Sequence, residues 1–186
     1  FLQDTRSIAS GSAVLRIMDA FMGKPGDLDI YVPRGSMSAA DEFLHLHEYV
    51  LVSISLENSR TLDRGEAGIS EVRYYLNRFN GALVNVIESS TSSSPTAVFF
   101  FHSTIVMNYL SWNALISAYP IMTIDRCGIL NSCGAKERPR MEECMAKYRR
   151  RGYDFVATSL ECERLPNQHI CGEFEYCAHT VRGIDD

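Results

Sequence analysis

The spacing of apolar residues changes several times along the first two thirds of the chain, and each change predicts a new element. Residues 14–21 carry apolar side chains at helical spacing, and Ser12 in front of them suits a helix N-cap. The Gly-Lys-Pro-Gly segment at 23–26 ends that helix, because proline and glycine disfavour its continuation. The apolar face of this helix is predicted to comprise Val14, Ile17, Met18 and Phe21.

The next six residues, 27–32, read Asp-Leu-Asp-Ile-Tyr-Val and alternate with a period of two. This alternation predicts a strand with Asp27 and Asp29 on the same face. Two neighbouring carboxylates repel each other, and a divalent cation with a preference for oxygen ligands, such as Mg²⁺, removes that repulsion. The alternative interpretation is a pair of N-cap or turn aspartates after Pro25-Gly26.

The turn at Gly11-Ser12 opens the helix that precedes this strand. A helix N-terminus offers free backbone N–H groups and the positive end of the helix dipole, which together favour a phosphate group. A phosphate site and a metal site one helix apart predict the binding of a nucleotide with Mg²⁺.

The rest of the chain predicts a mixture of strands and helices. Asn-Gly at positions 80 and 81 is a strong signal for a hairpin between two strands. The predicted strands cover residues 1–9, 52–55, 69–76, 82–88 and 97–101, and the predicted helices cover 38–51, a segment after His102, and 138–152.

The combination of Gly11-Ser12, a helix and then Asp27-Leu-Asp29-Ile resembles the signature of the nucleotidyltransferase fold, the superfamily of polymerase-beta-like enzymes. A wider run, residues 7–120, is similar to uncharacterised nucleotidyltransferase-like proteins of mushroom-forming fungi. The resemblance implies an α+β (α/β) fold in which helices flank a mixed central sheet. It implies a core over residues 1–125, and a small helical extension with Cys and His residues over 126–186, packed on that core.

The same resemblance implies Mg²⁺-dependent nucleotidyl transfer from a nucleoside triphosphate to an unidentified hydroxyl acceptor. Asp27 and Asp29 would be the catalytic and Mg²⁺-binding residues, and Gly11, Ser12 and Asn85 would contact the nucleotide. Active members carry a third carboxylate where Asn85 stands here. A neutral amide is a weaker ligand for a hard cation and cannot act as a general base. The alternative is therefore a catalytically inactive domain, a pseudoenzyme, that binds nucleotide or protein.

All six cysteines lie in the last third of the chain. A zinc site would let this segment fold without a large apolar core, but the spacings do not fit the usual Cys-x₂-Cys pair, and the alternatives are a disulfide and, favoured over both, free buried thiols. A third functional class follows from this alternative: an α/β domain with a zinc-binding appendage that contacts other proteins. The candidate zinc ligands are Cys162, His169, Cys171 and Cys177.

The net charge of −5, from 18 basic and 23 acidic residues, argues against a generic nucleic-acid-binding protein. One basic cluster, residues 136–151, is predicted to be a solvated amphipathic helix, with phosphate binding as the alternative. No apolar run approaches the length of a membrane span, and the cysteine-free core favours an intracellular, reducing setting. The chain begins at Phe1 and not Met, so a piece of a longer protein is expected.

Overall fold

The computed structural model describes residues 1–56, 68–131 and 139–157 of the chain. Two 3₁₀ helices, Ser94–Phe100 and Thr104–Val106, supplement the elements named below. The helices are α1 (Leu2–Thr5), α2 (Gly11–Met18), α3 (Met37–Leu46), α4 (Pro120–Ile124) and α5 (Pro139–Arg149). The strands are β1 (Ile8–Ser10), β2 (Asp27–Val32), β3 (Tyr49–Leu56), β4 (Ile69–Asn77), β5 (Leu83–Ser89), β6 (Asn108–Leu110), β7 (Leu115–Ser117), β8 (Cys127–Ile129) and β9 (Asp154–Val156).

Seven strands form one mixed sheet in the order β3-β4-β5-β2-β1-β6-β7. Strands β2 and β5 pair in parallel at its centre, and the other neighbouring pairs are antiparallel. A parallel pair needs a long connection, which α3, β3 and β4 supply here. Helices flank this sheet, so the predicted fold class, a mixed α+β sheet of the nucleotidyltransferase type, is confirmed.

The alternation of β2 places its two kinds of side chain on opposite faces of the sheet. Ile30 and Val32 are buried against α3, in a cluster that includes Ala40 and Leu44. Tyr31 lies in a different cluster on the opposite face, the face that also carries the aspartates of this strand. The apolar half of the strand therefore anchors it in the core, and its other half is left for the site.

The described part of the predicted C-terminal extension packs on the core. Strands β8 and β9 form a separate parallel pair, and α5 lies between them in the sequence. Tyr148 and Tyr153 are buried in one cluster with Leu15 of α2 and with Ile105. The boundary at residue 125 stays a prediction, since residues 158–186 lie outside the described ones.

Several predicted elements near the N-terminus are wrong. Residues 1–9 form α1 followed by the short strand β1, not one strand. Ser10, not Ser12, is the N-cap of α2, because the chain turns into the helix directly from β1. Of the predicted apolar face, Val14 is buried, but Ile17 is 59% exposed and Phe21 is 88% exposed. Phe21 lies outside the helix, which ends at Met18.

Three further predictions about helices and strands are wrong. Residues 97–100 lie in the 3₁₀ helix Ser94–Phe100, in which Pro95 occupies the first turn, and not in a strand. The helix predicted after His102 is replaced by a 3₁₀ turn and the hairpin β6–β7, since β6 pairs with the free edge of β1. The helix predicted over 38–51 ends at Leu46, and Glu48 at φ 66° redirects the chain into β3. The β4–β5 hairpin is confirmed.

No helix among the described residues is long and apolar enough to cross a membrane.

Candidate functional site

The parallel pairing of β2 with β5 brings two carboxylates and one amide together. Asp29 is opposite Asn85 in the register, and Asp27 is opposite Leu83. Alternation along both strands places the side chains of Asp27, Asp29 and Asn85 on the same face of the sheet. The two aspartates and the asparagine therefore converge, although 56 and 58 positions separate them along the chain.

The amide nitrogen of Asn85 bridges the two carboxylates. Its Nδ2 donates to Oδ2 of Asp27 and to Oδ1 of Asp29, and both distances are 2.8 Å. One –NH₂ group has two hydrogens, so both carboxylates are satisfied by a single neutral side chain. A third carboxylate at this position would repel both aspartates.

The N-terminus of α2 lies against Asp29. Strand β1 pairs with β2 so that Ser10 is opposite Asp29, and α2 starts at the next residue. Gly11 has φ +73°, and a Cβ atom built on it would lie 2.3 Å from Oδ2 of Asp29. Glycine at position 11 therefore lets the backbone approach the carboxylate. Ser12 follows in the first turn and is buried.

The electrostatics of the site make Asp29 harder to ionise when no cation is bound. Burial raises its pKa to about 6, and the charge of Asp27 adds to that rise. The hydrogen bond from Asn85 and the charge of Lys147 act in the opposite direction. A bound cation would stabilise the ionised form of Asp29. The two aspartates are therefore suited to binding a cation that neutralises their charge.

Aromatic residues and one lysine surround the carboxylates. Tyr31 follows Asp29 on the same face of β2, and burial, together with the charge of Asp29, raises the pKa of Tyr31 far above its usual range. Burial likewise raises the pKa of Tyr148 on α5, and both aspartates contribute to the rise. The sequence does not indicate that these residues belong to the site. The segment that contains Lys147 and Tyr148 is predicted to be a solvated helix, and no local pattern shows that this helix lies near Asp29.

His102 packs between two aromatic rings next to this site. Its ring lies 5.6 Å from that of Tyr148 and 6.0 Å from that of Phe155, measured between centroids. Burial and the charge of Lys147 lower its pKa to about 4, so the imidazole is neutral at pH 7. Its Nδ1 is buried and has no hydrogen-bond partner among the described residues.

The candidate zinc ligands Cys162, His169, Cys171 and Cys177 lie outside the described residues. Within the described part of the chain, no group of three or more His, Cys, Asp or Glu side chains could hold a metal ion. The oxygen donors available to a cation are the carboxylates of Asp27 and Asp29 and the amide oxygen of Asn85.

No protein-family model matches the chain, and no curated protein matches its sequence. Two solved structures are similar to it in fold. A tRNA-processing enzyme in its apo form matches with a TM-score of 0.57 and 12% identity, over 83% of this chain and 40% of the other. A tRNA nucleotidyltransferase complexed with a primer tRNA and an incoming ATP analogue matches with a TM-score of 0.55 and 13% identity, over 83% of this chain and 45% of the other.

The chain spans less than half the length of either structure. Identities this low show a shared fold and no more. The mixed sheet with Asp27, Asp29 and Asn85 on its central parallel pair thus belongs to a chain that has a nucleotidyltransferase-like fold.

Proposed function

We propose that this chain binds a nucleoside triphosphate with Mg²⁺ and transfers its nucleotidyl group to a hydroxyl acceptor. The observation that carries this proposal is the convergence of Asp27 and Asp29 on one sheet face, against the N-terminus of α2 at Gly11. The same arrangement offers oxygen ligands for a cation and backbone N–H groups for phosphate. The fold shared with a tRNA nucleotidyltransferase supports it.

The donor set fits Mg²⁺, because carboxylate and amide oxygens are hard ligands. Asp27 and Asp29 would hold the ion, and Asn85 would add its amide oxygen after its side chain rotates. When bound, Mg²⁺ neutralises charge on the phosphates during in-line displacement. The backbone at Gly11 and Ser12 would orient the β- and γ-phosphates.

In the transfer, an acceptor hydroxyl oxygen forms a bond to the α-phosphorus of the nucleotide. The bond between that phosphorus and the oxygen bridging to the β-phosphate breaks, and pyrophosphate leaves with the electron pair. The hydroxyl proton passes to water, since Asn85 has no basic form at neutral pH. The chain's contribution would be positioning and charge neutralisation.

One observation favours a second candidate, a catalytically inactive nucleotide- or protein-binding domain. The Asn85 amide already satisfies both carboxylates with two hydrogen bonds of 2.8 Å. This internal pairing competes with a cation for the same oxygens.

The resemblance to the fungal proteins and the intracellular location, both expected from the sequence, stay proposals.

Calorimetric titration of each NTP, with and without Mg²⁺, tests nucleotide binding. We expect binding that needs Mg²⁺ and is lost in the double variant Asp27→Ala/Asp29→Ala. No heat from any NTP with the folded protein would contradict both nucleotide-binding candidates.

Asn85→Asp separates the two candidates. Restoring a third carboxylate is expected to raise nucleotidyl transfer by tenfold or more if the chain is an enzyme limited by its missing ligand. Asn80→Asp, in the β4–β5 turn, controls for the added charge. If the natural chain and Asn85→Asp both bind NTP but neither transfers labelled nucleotide, the inactive domain is the candidate that remains.

A further inference from the structure

Tyr74 lies on the face of the sheet that carries the carboxylates. It is opposite Asn85 in the register of β4 with β5, and Asn85 is opposite Asp29 in the register of β5 with β2. The next residue, Tyr75, is buried in the cluster against α3, and its hydroxyl donates to Asp41 of that helix. Neighbouring residues of a strand point to opposite faces, so Tyr74 points to the face of the carboxylates.

The surface around Tyr74 is apolar. Leu76 and Leu83 are opposite each other in the same hairpin, and alternation along the strands places both on the face of Tyr74. Leu83 is 44% exposed, and Tyr74 and Leu76 are half-buried. None of the three belongs to a hydrophobic cluster that the described residues form. This β4–β5 surface (Tyr74, Leu76 and Leu83) is therefore an uncovered apolar area beside the carboxylates, as far as the described part of the chain extends.

Two other directions from Asp29 are occupied by the chain itself. Tyr31, two residues further along the same face of β2, is buried in a cluster with residues of the 3₁₀ helix Ser94–Phe100. Toward β1, Ser10 is buried and the backbone of Gly11 lies against the Asp29 carboxylate. A ligand whose phosphates lie at the N-terminus of α2 is therefore directed across β5, toward the β4–β5 surface.

The distances across the sheet suit one nucleotide. Strand β4 is two strands from β2 and three strands from β1, which leads into α2. Neighbouring strands lie about 4.8 Å apart, so β4 is about 10 Å from β2 and about 14 Å from β1. A nucleoside triphosphate carries its base at the opposite end from its γ-phosphate. The sheet thus presents backbone N–H groups, carboxylates and an aromatic ring in the order in which the nucleotide presents its outer phosphates, its metal-binding phosphates and its base.

We propose that the nucleobase of the bound nucleoside triphosphate stacks on the ring of Tyr74, with Leu76 and Leu83 in contact with its edge. Aromatic side chains bind bases through their π-faces, and apolar neighbours exclude water from the stack. This inference rests on the proposed nucleotide binding and assigns a positioning residue to it. Because the base is fixed at one end and the outer phosphates at the other, the α-phosphorus is held over the carboxylates.

The test compares two probes by calorimetric titration into the whole chain with Mg²⁺: each NTP that the natural chain binds, and inorganic tripolyphosphate, which has the three phosphates without sugar or base. We expect Tyr74→Ala to weaken NTP binding by about fivefold or more, because the stack is lost. Its affinity for tripolyphosphate should stay within about twofold of that of the natural chain. Tyr74→Phe should keep the NTP affinity within about twofold, since its ring still stacks.

Trp112→Ala is the matched control. Trp112 is a 57% exposed aromatic residue that follows β6, and β6 is four strands from β4 in the sheet. Removing its ring should leave the NTP affinity within about twofold of that of the natural chain, because stacking requires contact with the base. Circular dichroism confirms that each variant is folded.

Four results would overturn the stacking of the base on Tyr74 and leave nucleotide binding in place. They are an unchanged NTP affinity in Tyr74→Ala, an equal loss of tripolyphosphate binding in that variant, an equal loss of NTP binding in Tyr74→Phe, and an equal loss in Trp112→Ala. Absence of NTP binding by the folded natural chain would overturn the proposed function, and the role of Tyr74 with it.

Discussion

Gly11 is the residue whose identity the site most directly requires. It combines φ +73° with a space that the Asp29 carboxylate fills. Gly11→Ala would place a methyl group 2.3 Å from Oδ2 of Asp29, so the carboxylate must leave the position in which it accepts from Asn85. We expect a loss of about 2–4 kcal/mol in the free energy of unfolding, measured by urea denaturation.

Gly23→Ala separates the two contributions. Gly23 also has positive φ, at +89°, but a Cβ there meets no atom within 4 Å. The control should lose about 1 kcal/mol, the cost of the left-handed backbone alone. Equal losses in both variants would contradict a close approach of Gly11 to Asp29.

Asp29 gives the site a pH dependence of known sign. Its pKa in the folded chain is about 6, and an exposed aspartate has a pKa of about 3.9. Between these values the folded state keeps a proton that the unfolded state has released, so the free energy of unfolding falls as pH rises from about 4 to 6.

The variant Asp29→Asn tests this pH dependence. Relative to the natural chain without Mg²⁺, it should gain about 2 kcal/mol between pH 4.5 and pH 7, because its amide does not ionise. Urea denaturation at both pH values measures the difference. A stability difference that does not change with pH would show that Asp29 titrates normally.

At the scale of elements, a polar contact joins the end of α2 to the C-terminal part of the chain. Asp19 accepts hydrogen bonds from Arg126 at 2.8 Å and from the hydroxyl of Tyr153 at 2.8 Å. Burial alone would raise the pKa of Asp19, but these bonds and one from the backbone N–H of Phe21 lower it overall. The contact stabilises the fold above pH 4 and is lost as Asp19 becomes protonated.

Tyr153→Phe should cost about 1–2 kcal/mol at pH 7, because it removes a hydrogen bond to a charged group and leaves the ring buried. The loss should shrink as the pH falls below 4 and Asp19 becomes protonated through its lowered pKa. Tyr148→Phe is the control, since its ring is also buried but its hydroxyl makes no hydrogen bond to a described residue. Thermal unfolding that gives equal losses for both variants would contradict the proposed contribution of Asp19.

The sequence predicted elements well where the pattern is long or its turn chemistry is specific. The alternation of β2 and the Asn-Gly turn between β4 and β5 are examples. It failed after His102, where an apolar run is equally compatible with a helix. The free edge of β1 decided the outcome, because its unpaired N–H and C=O groups need the partner that β6 supplies.

At the scale of the whole molecule, the described residues of the C-terminal third pack against the helix that opens at the carboxylate face. The acidic net charge of the chain conceals a local arrangement in which Lys147 of α5 is close enough to Asp29 to lower the pKa of that carboxyl. Composition averages over the surface and cannot predict such an arrangement, since it depends on which helix packs against which strand.

By itself, the sequence determined the alternation that aims Asp27 and Asp29 at one face, and the glycine that opens α2. These are local properties, because backbone geometry fixes them within a few residues. Only the tertiary structure decided that Asn85 bridges the two carboxylates and that Lys147 comes close enough to Asp29 to lower its pKa. Both interactions join residues more than fifty positions apart, and their geometry follows from strand register and helix packing, which no local pattern specifies.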